Sequence, residues 1–430
     1  MPRAALLLLL ASCACSAEAR VAIEQWSARS GARVYFVETH ALPIVDVAVE
    51  FAAGSAYDPG ERAGLAQLTQ AMLRGGSARY SDAELSRRLA GAGAQLQNVL
   101  DLDRAGFALR TLSSDAERRT AVETLAEMLQ APQFPGRIFE RERARAVADA
   151  AEDETRPDRI AERRLHALMY PAHPYGLTAG PASLAAIARE DVERFYRSHY
   201  GAARSVVTIV GDLRRDAAGI LAEELTSRLP QAEGPALAPV PAARQGQTLR
   251  IAHPSTQSHV LLGIAALSRS DPDYFPLYVG NYVLGGGGFV SRLLKEVRDK
   301  RGYAYSAYSY FRPFEREGPF LVGLQTRREQ TNEALARARA VLEEFIARGP
   351  TEAELKAAKK GLVGGFPLRI DTNRKVLEQV AAIGFYRLPL DWLDRFPARV
   401  EGVTLEQVRS AFARRIDPAK LSVVIVGAAQ

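Results

Sequence analysis

The sequence predicts an α+β protein built from two homologous halves, each a mostly antiparallel sheet covered by helices. Three observations lead there. The chain matches itself without a gap at an offset of 216: "IAREDVERFYRSHYGAARSVVTIVGDL" from Ile187 aligns with "VTLEQVRSAFARRIDPAKLSVVIVGAA" from Val403, pairing Val192 with Val408, Tyr196 with Phe412 and Gly211 with Gly427. Each copy reads as an amphipathic helix, a turn, and a β-branched strand closing on glycine. The beginnings of the halves correspond more loosely. "VDVAVEFAAGSAYDPGERAGLAQLTQAMLRGG" and "HVLLGIAALSRSDPDYFPLYVGNYVLGGGG" each run strand, Asp-Pro, helix, glycine stop. Between the copies, "QAEGPALAPVPAARQGQ" is rich in Ala, Pro, Gly and Gln and lacks apolar periodicity, as a linker does. A repeat this long is a duplicated domain, not a solenoid unit.

In chain order, the N-terminus "MPRAALLLLLASCACSAEARV" has one basic residue, Arg3, an apolar run from Ala4 to Ala11, then small residues before Arg20. That is the pattern of a secretory signal, too short to span a bilayer. Residues 1–19 are therefore expected to direct export, which places the protein in the periplasm. Cleavage after Ala17 or Ala19 fits soluble export, the reading favoured here. Leu10-Ala11-Ser12-Cys13 also resembles a bacterial lipoprotein box, and only a lipid on Cys13 would bring the chain to a membrane. Both cysteines, Cys13 and Cys15, lie in this segment, so a soluble mature chain rests on no disulfide. The first domain is then 20–230, the linker 231–247 and the second domain 248–430.

At 47% hydrophobic and 25% charged the composition is that of a globular protein. The net charge of +6 is spread over mixed-sign helix faces such as "ERERARAVADAAEDE". Such faces are solvated surface, and they exclude the basic block with interleaved aromatics that marks nucleic-acid binding. Within the first half, helices are expected over 115–129, 140–151 and 159–169.

In "GLAQLTQAMLRGG", Asp58 is expected to cap the helix with Pro59 at its first position, and Gly75-Gly76 to stop it. Leu65, Leu68 and Met72 form the buried stripe. Gln67 and Gln70, three apart, share a neighbouring face with Ala71 beside them, and that face meets solvent or a cleft. This segment is joined by "AHPYGLTAG" from Ala172, "LGGGGFVSRLLKEVRDKRGYAYS" from Leu284, and the closing strands "VVTIVGD" and "VVIVGA". Together, in order, they resemble the pitrilysin (insulinase, or mitochondrial-processing-peptidase) family of zinc peptidases over essentially the whole mature chain.

The resemblance implies a fold of two half-shell domains and a His-x-x-Glu-His helix in active members, whose histidines bind zinc while the glutamate handles the attacking water. Those positions fall on Gln67, Gln70 and Ala71. A glutamine amide is a poor zinc ligand and no base, and alanine has no lone pair. The family's third ligand, a glutamate about 76 residues beyond the second histidine, maps to Val147, with Asp149 and Glu152 nearby. The histidines, His40, His166, His173, His199, His253 and His259, include no pair at helical spacing, and "HPYG" at His173 reads as a structural turn. The implied zinc site is degenerate, and no cofactor is expected in this chain.

In the second half, "SRLLKEVRDKRGYAYSAYSYF" reads as a helix over about 291–300, a turn at Gly302, and an aromatic strand with Tyr303 and Tyr305 facing one way and Tyr308 and Tyr310 the other. Family members carry an Arg and a Tyr seven residues apart here, falling on Arg298 and Tyr305, which bind substrate backbone and help stabilise the tetrahedral intermediate. A fixed cation and a phenolic donor suit that task. Gly286 and Gly287, in the glycine run, would let a backbone approach at the cleft or simply stop the helix.

The resemblance thus implies the non-zinc subunit of an exported heterodimeric zinc peptidase. It would lend Arg298 and Tyr305 in trans to a homologous partner that holds the zinc, with a peptide or unfolded polypeptide as substrate. The alternatives are a non-enzymatic structural or peptide-binding member, like the family's respiratory core subunits, and an active peptidase with unusual ligands.

Overall fold

A computed structural model describes residues 21–427 apart from 233 and 243, so the signal segment with Cys13 and Cys15 lies outside the described residues. The first half holds strands β1 (Glu24–Ser27), β2 (Arg33–Glu38), β3 (Ile44–Phe51), β4 (Gln95–Leu100), β5 (Ala105–Leu112) and β6 (Ser205–Gly211). Its helices are α1 (Leu65–Leu73), α2 (Asp82–Gly91), α3 (Asp115–Gln130), α4 (Gly136–Asp153), α5 (Pro157–Met169), α6 (Pro181–Ala185), α7 (Arg189–His199) and α8 (Arg215–Thr226). The second half holds β7 (Thr248–Ile251), β8 (Gln257–Leu267), β9 (Ala304–Phe311), β10 (Gly318–Arg327) and β11 (Ser422–Val426). Its helices are α9 (Tyr274–Asn281), α10 (Arg292–Leu294), α11 (Thr331–Arg348), α12 (Glu352–Gly364), α13 (Asn373–Phe385), α14 (Trp392–Glu401) and α15 (Leu405–Arg415).

The two sheets run β1-β2-β6-β3-β5-β4 and β7-β11-β8-β10-β9, the same order once β1 is set aside. Each contains one parallel pair, β2 with β6 and β7 with β11, and is otherwise antiparallel. The predicted α+β class holds. So does the duplication, and it reaches further than the matching letters: α3, α4, α5 and α7 begin 216 residues before α11, α12, α13 and α15. Upstream the offset falls to 209, α1 against α9, which is why the beginnings of the halves match only loosely.

Two corresponding helices cross over. α5, from the first half, packs on β8 and β11 of the second sheet, while α13, its counterpart, packs on β2, β3 and β6 of the first. Glycines make room on each side. A Cβ at Gly263 in β8 would lie 2.6 Å from Met169 Sδ, and one at Gly384 in α13 would lie 2.7 Å from the Tyr35 ring. The exchange carries the hydrophobic core through both halves, from Phe36, Phe51 and Phe107 to Phe320, Phe345 and Phe412, all fully buried.

A polar cluster closes the same seam. Asp103, buried in the β4–β5 turn, accepts from the hydroxyls of Tyr175 (2.5 Å) and Tyr386 (2.9 Å) and from the Glu315 backbone N–H (2.7 Å), two of these donors coming from the second half. The "HPYG" turn is structural, as expected. The Tyr175 N–H donates to His173 Nδ1, so Nε2 carries the proton and donates to Ala238 O in the interdomain segment.

Candidate functional site

The "GLAQLTQAMLRGG" helix begins later than its capping signal suggested. Asp58 does cap it, but from a distance: its two carboxylate oxygens accept the Gly64 and Ala66 N–H groups at 2.7 Å each, and α1 starts at Leu65 after two short 3₁₀ turns. The start is displaced because Gly64 holds φ at +102°, a conformation that breaks a continuous helix from Pro59. Burial raises the Asp58 carboxyl to about 7.

Gln67, Gln70 and Ala71 line one cavity of about 580 Å³ with Arg74, Asp82, Arg141, Glu142, Arg145 and Asp149. The two glutamines do different things there. Gln67 is exposed. Gln70 is only 2% exposed, and its Nε2 donates to both Val99 O (2.6 Å) and Gly106 O (2.7 Å), clamping α1 to the β4–β5 pair. The shared polar face expected from spacing is thus split, one amide in solvent and one spent on backbone. The carboxylates of this cavity are also engaged: Arg141 meets Asp82 at 3.2 Å and Glu142 at 2.8 Å, and Arg145 lies 3.9 Å from Asp149.

In the second half the expected helix over 291–300 is replaced by one α-turn, α10, and a π-helical turn over Lys295–Asp299, where the Lys300 N–H reaches Lys295 O. A second π-turn covers Tyr282–Gly286. Wide turns of this kind re-aim side chains, and periodicity alone does not announce them. Gly287 folds back so that its N–H meets Tyr282 O, Gly286 is exposed, and Gly285 is the close approach: a Cβ there would lie 2.3 Å from the Ser309 nitrogen.

Arg298 and Tyr305 come together. The guanidinium lies 5.1 Å from the Tyr305 ring centroid and 5.4 Å from that of Phe289, a cation–π sandwich between two exposed rings. Among the described residues Arg298 makes no ion pair, so its charge is free to meet an incoming anion. The expected alternation of tyrosines is corrected by a bulge. Gln325 pairs with Ser306 and Thr326 with Ala304, skipping Tyr305, and Tyr305, Tyr308 and Tyr310 are all exposed. Phe289, which the sequence reading passed over, was signalled by its position as a large apolar residue in a glycine-rich loop. Arg298 and Tyr305 do not line the Gln67–Ala71 cavity.

Comparison with known proteins places this arrangement. The profile of "Insulinase (Peptidase family M16)" matches residues 33–181, and that of "Peptidase M16 inactive domain" matches residues 186–362. The crystal structure of a peptidase M16 inactive domain from Pseudomonas fluorescens superposes with a TM-score of 0.91 at 35% identity, covering 95% of this chain and 98% of that one. The chain belongs to the peptidase M16 family. Among its M16 relatives, an uncharacterized zinc protease of Streptomyces coelicolor is 25% identical over 378 residues, covering 85% of this chain and 80% of that protein. The non-peptidase homolog YmxG of Helicobacter pylori is 24% identical over 398 residues, covering 91% of each.

The zinc of the M16 peptidases does not fit the residues present here. The three helix positions supply an exposed amide, an amide already bound to two carbonyls, and a methyl group. The carboxylates of the cavity are paired with arginines, whose charge opposes a divalent cation. Among the described residues no group of three His, Cys, Asp or Glu side chains is placed to hold a metal. This M16 homologue lacks the peptidase residue set in its own first half.

Proposed function

We propose that this M16 homologue is the non-zinc subunit of an exported heterodimeric zinc peptidase. It would contribute Arg298 and Tyr305 to a partner of the same fold that carries zinc. The observation that supports this reading most is an asymmetry. The metal positions are converted to a structural clamp at Gln70, while the Arg298–Tyr305 pair is assembled, solvent-facing and without an ion-pair partner among the described residues. A guanidinium and a phenol presented together can hold a peptide carbonyl and stabilise the oxyanion formed when water adds to it. The open sheet edges, β4 and β9, offer backbone groups to a peptide that adds as a strand. Export rests on the N-terminal signal pattern.

The test is co-purification with a zinc-bearing homologue, followed by peptidase assay of the complex. Arg298→Ala and Tyr305→Phe should each lower kcat/KM by about a hundredfold while the complex stays intact. No complex, or unchanged activity in both variants, would sink the proposal. The second reading, a non-enzymatic peptide-binding member, is favoured by the arginine–carboxylate pairs that fill the degenerate cavity. It expects a stable partner with no peptidase activity in the complex.

A further inference from the structure

A second cavity, about 240 Å³, lies on the seam between the halves and shares no lining residue with the Gln67–Ala71 cavity or the Arg298–Tyr305 pair. Four arginines line it: Arg33 and Arg204 from the first half, Arg269 and Arg387 from the second. Among the described residues Glu315 is the one acid in its wall, and no ion pair joins Glu315 to these arginines. Arg204 is engaged by Pro235 O and Tyr57, which leaves Arg33, Arg269 and Arg387 to meet a ligand.

The three are engaged to different degrees: Arg33 Nη1 donates to Gly384 O at 2.8 Å, Arg269 Nη1 reaches the Tyr274 hydroxyl at 3.4 Å, and the Arg387 side chain makes no hydrogen bond or ion pair among the described residues. Arg269 Nε is buried without a hydrogen-bond partner, a costly state for a guanidinium N–H. Arg33 is half-buried, and burial, with the Arg387 charge besides, lowers its pKa. Arg387 is one of two non-glycine residues with positive φ among the described residues, at +54°. It sits just beyond α13 at the turn closed by the Leu388 N–H to Ile383 O bond, the position where helices prefer glycine because a Cβ costs about 1 kcal/mol there. An arginine in a conformation that favours glycine, lining one cavity with Arg33 and Arg269, brings its charge there at a backbone cost.

We propose that this seam cavity binds a small multivalent oxyanion of the phosphate class. The number of guanidinium groups argues for that class over a monocarboxylate. Arginines from separate chain segments line the cavity, and several guanidinium forks can pair with the oxygens of a multivalent tetrahedral anion, whereas a planar carboxylate satisfies one fork. The volume suits an anion the size of phosphate or pyrophosphate. Because its walls come from both halves, the bound anion ties the seam at the end of α13, next to Tyr386 and its bond to Asp103. This site stands independently of the proposed peptidase partnership.

The test is calorimetric titration of the full-length chain with inorganic pyrophosphate, orthophosphate and acetate at low ionic strength, with thermal unfolding in parallel. Pyrophosphate should bind more tightly than orthophosphate, acetate should not bind, and the unfolding midpoint should rise with pyrophosphate concentration. Arg269→Gln and Arg387→Gly should each weaken binding by about tenfold or more. Arg387→Gly also relieves the left-handed backbone, so its loss of binding would not come from misfolding. A surface control, Arg197→Gln on α7, should leave binding unchanged. No binding of either phosphate, acetate binding as tightly as pyrophosphate, or loss of binding in the Arg197 variant equal to that in the Arg387 variant would overturn the inference.

Discussion

Gln70 offers the sharpest test of what holds α1 against the first sheet. Its Nε2 donates to Val99 O at 2.6 Å and Gly106 O at 2.7 Å with the residue 2% exposed. The amide NH₂ serves two carbonyl acceptors at once, which a carboxyl of the same size cannot do. In Gln70→Glu an ionised carboxylate would face both carbonyl oxygens, so the less costly state is the neutral acid, donating to one of them. Holding a carboxyl neutral at pH 7, about 2.7 units above its reference pKa, costs about 4 kcal/mol at ~1.4 kcal/mol per unit. The lost second hydrogen bond adds about 1 kcal/mol. Urea unfolding should therefore show a loss of up to about 5 kcal/mol at pH 7, shrinking to about 1 kcal/mol at about pH 3, where the carboxyl is neutral in both states. Gln70→Leu, which cannot titrate, should show a loss independent of pH. A Gln70→Glu chain as stable as the parent at pH 7, or a loss that does not shrink in acid, would refute the clamp. The same arithmetic means that reinstating His-x-x-Glu-His at 67, 70 and 71 destabilises the fold before any zinc binds.

Three further outcomes are expected. Gly263→Val should cost about 1–3 kcal/mol, because the new side chain meets Met169 Sδ and Leu165 Cδ2 of α5. Met169→Ala in the same chain should recover part of that loss in a double-mutant cycle, and strict additivity would argue against the helix exchange. Burial raises Asp58 to about 7 and Asp103 to about 6, whereas both titrate near about 4 when unfolded. The folded chain thus holds protons that the unfolded chain releases, so this contribution is complete below about pH 4 and lost as pH rises through about 6 to 7. Chemical denaturation of Asp58→Asn across that range should show a shallower decline than the parent; an equal decline contradicts the assignment. Tyr386→Phe removes a donor to buried Asp103 and should cost about 1–2 kcal/mol in the same assay, and an unchanged midpoint would remove Tyr386 from the seam.

The Arg298–Tyr305 pair was singled out by the family resemblance, and its closeness in space is a local matter. Arg298 and Tyr305 are seven apart, joined by one turn, and a short connection leaves few ways to separate them. What the letters hid were the π-turn under Arg298 and the bulge at Tyr305, because both change the period that side-chain patterns are read with. Asp58 shows the same limit on the other side: a capping residue announces that a helix N-terminus needs acceptors, but here Gly64 decides where that terminus is.

By itself the sequence determined the duplication, the three long helices α3, α4 and α5 of the first half, and the absence of zinc ligands at 67, 70 and 71. These depend on residue chemistry at fixed spacing, which is a local property. The tertiary structure alone decided that α5 and α13 trade sheets, that the Gln70 amide is spent on carbonyls 29 and 36 residues away, and that arginines from both halves meet in one cavity. The physical reason is that an apolar stripe states how much surface a helix must bury and not which sheet will cover it. Likewise a polar side chain states what bonds it needs, and only the fold supplies the partner.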